Sequence, residues 1–247
     1  FLCVLHIIFH RPDLVHVHNI GPGMFAPLLR LFGLKTVMTY HSPNYEHKKW
    51  GFIARCILRM SEFLSLNFVN RVIFVNKFQM EKYSKRLLNK SVYIPNGINH
   101  CIPSSSTSFL DEIGVETHGY VLAVGRITPD KGFEHLIRAV NASSAVKHLV
   151  IAGACDHDSH YFEVLKQLDI NHKTIFTGFT FGENLNQLYS HARLYVLSSV
   201  NEGFPLVLLE AMNYGLPIVA SDLPATHLIN LPSDSYVEKA NPEALAE

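Results

Sequence analysis

The stretch Ser198 to Ser221, SSVNEGFPLVLLEAMNYGLPIVAS, constrains the fold of this chain more than any other. Just before it, Leu194 to Leu197 is an apolar run of strand length. Leu206 to Tyr214 reads as a helix. Pro205 suits its first turn, where a missing N–H costs nothing, and Gly215 followed by Pro217 stops it. Pro217 to Ala220 is a second apolar strand. A strand, a loop, a helix and a strand in succession make one unit of a parallel sheet, because parallel neighbours need a crossover long enough to hold a helix.

The same alternation runs along the chain. In the front half, strands are read at Asp13 to His18, Lys35 to Tyr40, Arg71 to Val75 and Val92 to Ile94, and helices at residues 1–10, 24–32, 46–69 and 77–89. In the back half, strands are read at Tyr120 to Val124, Lys147 to Ala152, Thr174 to Phe176 and the two already named. Helices there are read at residues 132–141, 160–168 and 183–191. Each half is therefore expected to be an α/β domain with a doubly wound parallel sheet. Pro95-Asn96-Gly97 and the run CIPSSSTS break the pattern, and the boundary is placed there, giving domains 1–102 and 103–247. The chain starts at Phe1 inside an apolar run and stops at Glu247 in what reads as a helix opening, so it is read as a fragment lacking both ends.

Charge is split between the halves. Residues 1–102 carry 13 Lys+Arg against 4 Asp+Glu, a net +9, and residues 103–247 carry 8 against 17, a net −9. A basic front half suits anionic partners, or simply packs against the acidic one. The apolar run Phe1 to Phe9 falls far short of the roughly 20 residues that a membrane span needs. Cys3, Cys56, Cys101 and Cys155 form no C-x-x-C pair, which argues against a zinc ribbon or a disulfide framework and for a reduced, cytoplasmic setting.

Glu202 and Glu210 have seven residues between them. Glu202 lies in the loop Gly203-Phe204-Pro205, ahead of a helix N-terminus whose free N–H groups and partial positive charge suit a phosphate. Glu210 falls about a turn and a half into the helix. Carboxylates beside a phosphate seat suit sugar and ribose hydroxyls, although two acids taken alone are more plainly a solvated helix surface. Gly125-Arg126 and Lys131-Gly132 flank a loop that feeds another helix, and two cations there can clamp a diphosphate. No G-x-G-x-x-G appears, so a dinucleotide fingerprint is excluded.

The two runs VGRITPDKGFEHLIRAV and NEGFPLVLLEAM resemble, in this order, the donor motifs of glycosyltransferase family 4, the group 1 glycosyltransferases of the GT-B fold. The resemblance covers essentially the whole chain. It implies two Rossmann-like domains facing across a cleft, both incomplete here, with an acceptor-side domain first and a nucleotide-sugar domain second. It also implies that Arg126 and Lys131 hold the donor diphosphate, that Glu202 contacts the donor sugar and that Glu210 contacts the ribose. His41, after a strand end, matches a family histidine that faces the reacting sugar. The segment TYHSPNYEHKKWG is similar to one in a subgroup that builds bacterial surface polysaccharides, departing from it at Tyr40 and Ser42, where that form has His and Gly.

Other features are weighed beside these. His16 and His18 share a strand face and suit packing or acceptor contact better than a metal, for want of a third ligand. Cys155, Asp156, His157, Asp158 and His160 look like a metal cluster but fall in a loop that is variable in the resembling family. Gly178 to Gly182 opens a helix where backbone groups can meet a nucleobase. Lys48, Lys49, Trp50, Arg55 and Arg59 give the helix at 46–69 a basic face that suits anionic lipid, or a solvated face on a core helix.

The expectation is a retaining transfer of sugar from a nucleotide-diphosphate sugar to a saccharide or lipid-linked acceptor in cell-surface polysaccharide synthesis. Glu202 and His41 would act at the reacting sugar, while Arg126, Lys131, Glu210, Gly125, Gly203, Phe204 and Pro205 would bind the donor. No metal or other cofactor is expected, because the two cations offset the charge that builds on the leaving diphosphate. The expected location is cytoplasmic, at or near the inner face of a membrane, with no nucleic-acid partner. The alternatives are a sugar-nucleotide epimerase of the same fold, which would convert free donor without an acceptor, and a non-catalytic sugar-nucleotide binder, which would not turn donor over.

Overall fold

The computed structural model describes residues 2–43, 45, 50–155 and 159–247. The chain divides into two compact units, Phe1–Asn96 and Gly97–Glu247. Each is an α/β fold around a parallel sheet.

The first unit runs α1 (Leu2–His10), β1 (Val15–His18), α2 (Ile20–Gly23), α3 (Ala26–Leu31), β2 (Thr36–Tyr40), α4 (Phe52–Phe68), β3 (Arg71–Phe74), α5 (Lys77–Met80), α6 (Lys85–Leu88) and β4 (Ser91–Tyr93). Among the described residues its strands lie in the order β1-β2-β3-β4, all parallel. Val17, Met38, Val72 and Phe74 are buried along them. Among the described residues no helix is long and apolar enough to cross a membrane, and the four cysteines form no disulfide.

Three helices differ from the sequence reading. The expected helix at 24–32 is preceded by α2, because Asn19, at φ 70°, accepts the Ile20 N–H with its side chain and starts a turn early. The expected helix at 77–89 is broken into the four-residue α5 and α6, and between them Tyr83 turns its hydroxyl to Glu62 Oε1 at 2.8 Å. The long helix expected from residue 46 begins at Phe52, capped by an extended Gly51. Glu46, His47, Lys48 and Lys49 lie outside the described residues.

The inner face of α4 is polar and small. Ser61 and Ser65 are buried and both donate to the Ile20 carbonyl, at 2.5 and 3.2 Å. A Cβ on Gly23 would collide with the Ser65 side chain, so the bare backbone of α2 packs directly on that serine of α4. The apolar residues Phe52, Ile53, Ile57, Met60 and Phe63 are left exposed. Of the basic face expected here, Arg55 and Arg59 lie on α4 and Trp50 precedes it, and the apolar stripe of the helix is left exposed.

The second unit runs α7 (Ser108–Ile113), β5 (Tyr120–Val124), α8 (Phe133–Ala142), β6 (His148–Ala152), α9 (Ser159–Leu168), β7 (Thr174–Gly178), α10 (Gly182–His191), β8 (Leu194–Leu197), α11 (Leu206–Asn213), β9 (Ile218–Ser221), β10 (Tyr236–Val237) and α12 (Pro242–Ala246). The helix α7, closed by Gly114 at φ 74°, follows directly on the run read as a linker. Residues 97–102, left with the front half on sequence, join this unit. The Asn99 carbonyl accepts from Asn213 Nδ2 at 3.3 Å, and the Ile102 carbonyl from Asn186 Nδ2 at 3.1 Å.

Among the described residues this sheet has the order β10-β9-β8-β5-β6-β7 and is parallel throughout. Its strands β5, β6, β8 and β9 are buried on both faces, which is why they read as continuous apolar runs. Along β5, Val121 and Ala123 pack with Leu136 and Ile137 of α8, whereas Tyr120 and Leu122 pack with Leu188 of α10 and Leu208 of α11. From β5 the chain winds outward through β6 and β7, then returns to β8 and winds the other way. The order reverses between β5 and β8, and a crevice opens beyond the carboxyl ends of such a pair.

Candidate active site

The loops after β5 and β8 meet at this reversal. Gly125 closes β5 by donating its N–H to the Ala152 carbonyl at 3.0 Å. A Cβ on Gly153 would collide with the Gly125 carbonyl, so the loops leaving β5 and β6 touch through backbone alone. Arg126 follows, exposed, and Pro129–Lys131 makes a single 3-10 turn. Gly132 then takes φ 62°, and a Cβ there would collide with the Ser198 carbonyl. Both constraints exclude a side chain at this position. The Ser198 hydroxyl donates to the Lys131 carbonyl at 2.9 Å, and the Val200 N–H to the Asp130 carbonyl at 2.9 Å.

This stitching brings Lys131 and Glu202 together. The ammonium lies 2.6 Å from Glu202 Oε1, with the two side chains 16% and 10% exposed. Ser199 donates its hydroxyl to the same carboxylate oxygen at 2.7 Å. Gly203 and Phe204 follow, half-buried, and buried Pro205 takes an extended conformation as the N-cap of α11. Pro205 thus stands one position ahead of the first turn. Lacking a side-chain oxygen, it makes no side-chain cap to the first turn of α11, although its carbonyl accepts the Leu208 N–H at 3.1 Å.

Glu210 sits farther along α11 with a partner of its own: the Tyr189 hydroxyl donates to its Oε2 at 2.8 Å. Tyr189 is buried, and Tyr214 stacks on it at 5.1 Å with an interplanar angle of 7°. Burial above all pushes the Tyr189 phenol well above its ordinary pKa, and the nearby carboxylate adds to the effect, so it stays a hydrogen-bond donor. No sequence motif pointed to Tyr189, because its bond to Glu210 crosses between two helices that are separated in sequence by β8.

In the first unit, His41 follows the end of β2. His18 Nδ1 and His41 Nε2 lie 3.3 Å apart, and His16 Nε2 lies 2.8 Å from Thr39 Oγ1. The rings of His16 and His18 are 4.3 Å apart, and those of His18 and His41 are 5.6 Å apart. His41 therefore joins the strand pair as a third imidazole. Parallel pairing of His16 with Val37 and His18 with Thr39 puts these positions on one face, a relationship that needs the register as well as the spacing. Burial, then the neighbouring His18 and His16, hold the His41 pKa below its ordinary value of 6.5.

On the other face of β2, buried Tyr40 donates to Glu62 Oε1 at 2.6 Å. Tyr83 donates to the same oxygen at 2.8 Å, and Tyr45 to Oε2 at 3.3 Å. One carboxylate of α4 thereby fastens the loop on both sides of His41. Arg59 stands over the Tyr45 ring at 5.3 Å.

Of the metal-like loop, Cys155 and His160 are described, whereas Asp156, His157 and Asp158 lie outside the described residues. Among the described residues no group of three or more His, Cys, Asp or Glu is placed to hold a metal ion.

Comparison with known proteins matches both units. The family described as glycosyl transferases group 1 matches residues 109–247, and that described as glycosyltransferase family 4 matches residues 2–100. An uncharacterized glycosyltransferase of Methanocaldococcus jannaschii is 34% identical over 95% of this chain. The amylovoran biosynthesis glycosyltransferase AmsD of Erwinia amylovora is 23% identical over 92% of the chain. In each case the chain spans 64% of the relative's own length. Anabaena HepE, solved in complex with UDP and glucose, superposes with a TM-score of 0.82 at 20% identity, covering 98% of this chain and 69% of its own. That likeness shows the GT-B fold.

Proposed function

The chain belongs to the group 1 glycosyl transferases, and we propose that the protein moves a sugar from a nucleotide-diphosphate sugar to an acceptor with retention of anomeric configuration. The observation that carries this reading is the Lys131–Glu202 contact at the reversal of the sheet. A cation and a carboxylate held there by backbone stitching suit a ligand with adjacent phosphate and hydroxyl groups. A diphosphate competes with Glu202 for the Lys131 ammonium, and the exchange releases the carboxylate to accept from sugar hydroxyls. Arg126 supplies the second cation, and the first-turn amides of α11 supply further donors toward the leaving oxygen. Gly125 lets the diphosphate approach the backbone, and Gly203-Phe204-Pro205 shapes the turn beside it. Glu210, oriented by Tyr189, accepts from the ribose. His41, held neutral by burial, orients the acceptor or the sugar. With two cations at the diphosphate, no metal is required. The nucleotide-sugar donor is supported by HepE, solved in complex with UDP and glucose.

The acceptor is a lipid-linked saccharide of cell-surface polysaccharide synthesis, reached from the cytoplasmic face of a membrane. AmsD, named for amylovoran biosynthesis, supports the polysaccharide. The exposed apolar stripe of α4 beside Arg55 and Arg59 supports the lipid surface. The test is to incubate the full-length protein with a panel of nucleotide sugars and membrane extract, with and without chelator. Transfer with a retained anomeric centre, unaffected by chelator, is expected. Inversion, or epimerised free donor without transfer, would overturn the reading.

A further inference from the structure

The first unit holds a second concentration of charge at the opposite end of its sheet from His41. A cavity of about 330 Å³ lies there. Arg30 from α3, Arg71 at the start of β3, Arg86 from α6 and Lys90 just before β4 line it, with Asn70 and Ser84. No aspartate or glutamate lines it, and among the described residues none of these four cations is in an ion pair.

Part of this charge has a structural duty. The Lys90 ammonium donates to the Asn67 and Val69 carbonyls, at 3.1 and 2.9 Å, and so closes the carboxyl end of α4. Arg30 lies in the last turn of α3, where a cation is favourable. Arg86 has the same placement in the last turn of α6, but neither duty accounts for Arg71, nor for the convergence of the exposed Arg71 and Arg86 on the same hollow. The cluster is uncompensated: burial, then Arg30 and Arg86, hold the Lys90 pKa below its ordinary value. Like charges gathered around a concave polar surface favour an anion that relieves all of them together. Guanidinium forks pair with phosphate oxygens two at a time, and Lys90 adds a point charge on a tethered stem.

We propose that this cavity is a binding site for a phosphate-bearing anion, a pyrophosphate or phosphomonoester, separate from the donor edge of the second unit. Free phosphates and phosphomonoester lipid headgroups share this chemistry, and the experiment separates them. The full-length protein carrying Arg126→Ala and Lys131→Ala, which removes the donor cations, is titrated with inorganic pyrophosphate by calorimetry at low salt. One equivalent is expected to bind. Arg30→Gln with Arg86→Gln is expected to weaken binding at least about tenfold, and raised salt to weaken it further. Both side chains are exposed, so the fold is expected to persist, and Arg86→Gln alone serves if the pair melts early. Co-sedimentation with phosphatidic acid vesicles, lost in the same variants, would assign the site to a headgroup. Pyrophosphate binding without vesicle binding would assign it to a free phosphate. No binding of either probe, or binding unchanged by the arginine substitutions, would overturn the proposal.

Discussion

The Lys131 ammonium and the Glu202 carboxylate lie 2.6 Å apart although they come from loops on opposite sides of a sheet reversal. Their contact depends on two backbone features. Gly132 passes against the Ser198 carbonyl, and Ser198 in turn donates to the Lys131 carbonyl. The pair is mostly shielded from water, so removing one partner strands the other charge in a half-buried place.

The glycine that permits the contact should not tolerate a side chain. Gly132→Ala combines a positive φ with a collision against backbone. A loss of about 2 kcal/mol in the stability of the second unit is expected. Denaturant unfolding followed by far-UV circular dichroism measures it, and unchanged stability would show that the loop relaxes freely.

In the first unit, Glu62→Ala removes the acceptor of the Tyr40, Tyr83 and Tyr45 hydroxyls. Tyr40 is buried and would keep only the Tyr83 hydroxyl, 3.0 Å away, so a loss of about 1–2 kcal/mol is expected. Glu62→Gln keeps an acceptor oxygen and should lose less. The single tryptophan, Trp50, lies in this unit and reports its unfolding by fluorescence.

The imidazole trio gives the same unit a pH dependence. The pKa values of His16 and His41 are lowered from 6.5 in the folded protein, so the unfolded chain binds more protons as pH falls. Stability is therefore fully present above about pH 6.5 and declines below it, through the lowered folded values. Melts of the wild type and His41→Asn between pH 8 and 5, read at Trp50, should show a shallower decline for the variant. Equal slopes would remove His41 from the account.

Much of this architecture was legible in the residues. Strands such as Leu194–Leu197 and Ile218–Ser221 are buried on both faces, and their continuous apolar runs, the second preceded by Gly215 and Pro217, report that directly. The break between α5 and α6 was not legible, because residues 77–89 keep a helical pattern while Tyr83 is drawn aside by Glu62, a residue distant in sequence. Tyr40 stood out on sequence only as a departure from a pattern, and its reason is the Glu62 carboxylate beneath it. Spacing marked Lys131 and Glu202 separately. Their contact, the Glu210–Tyr189 bond and the joining of His41 to His18 all cross between elements, where register and crossover decide and local pattern is silent.

The lipid-facing reading of the first unit rests on the exposed stripe of α4 and on the net +9 of residues 1–102. Each basic residue at an anionic surface contributes about 1 kcal/mol, weakened by salt. Replacing Lys48, Lys49, Arg55 and Arg59 by glutamine should release the protein from anionic vesicles at low salt while sparing donor binding. A wild type that never pellets with such vesicles, or a variant that pellets equally well, would leave the basic half without this purpose.

The most direct measurement of the central claim is sugar transfer by full-length Lys131→Ala and Glu202→Gln, each compared with wild type at matched melting temperature. Contacts of this kind at a developing charge are worth about 3 kcal/mol, so turnover should fall roughly 100-fold or more in each variant. Near-normal transfer by either protein, with an unaltered melt, would contradict the placement of the donor at this edge.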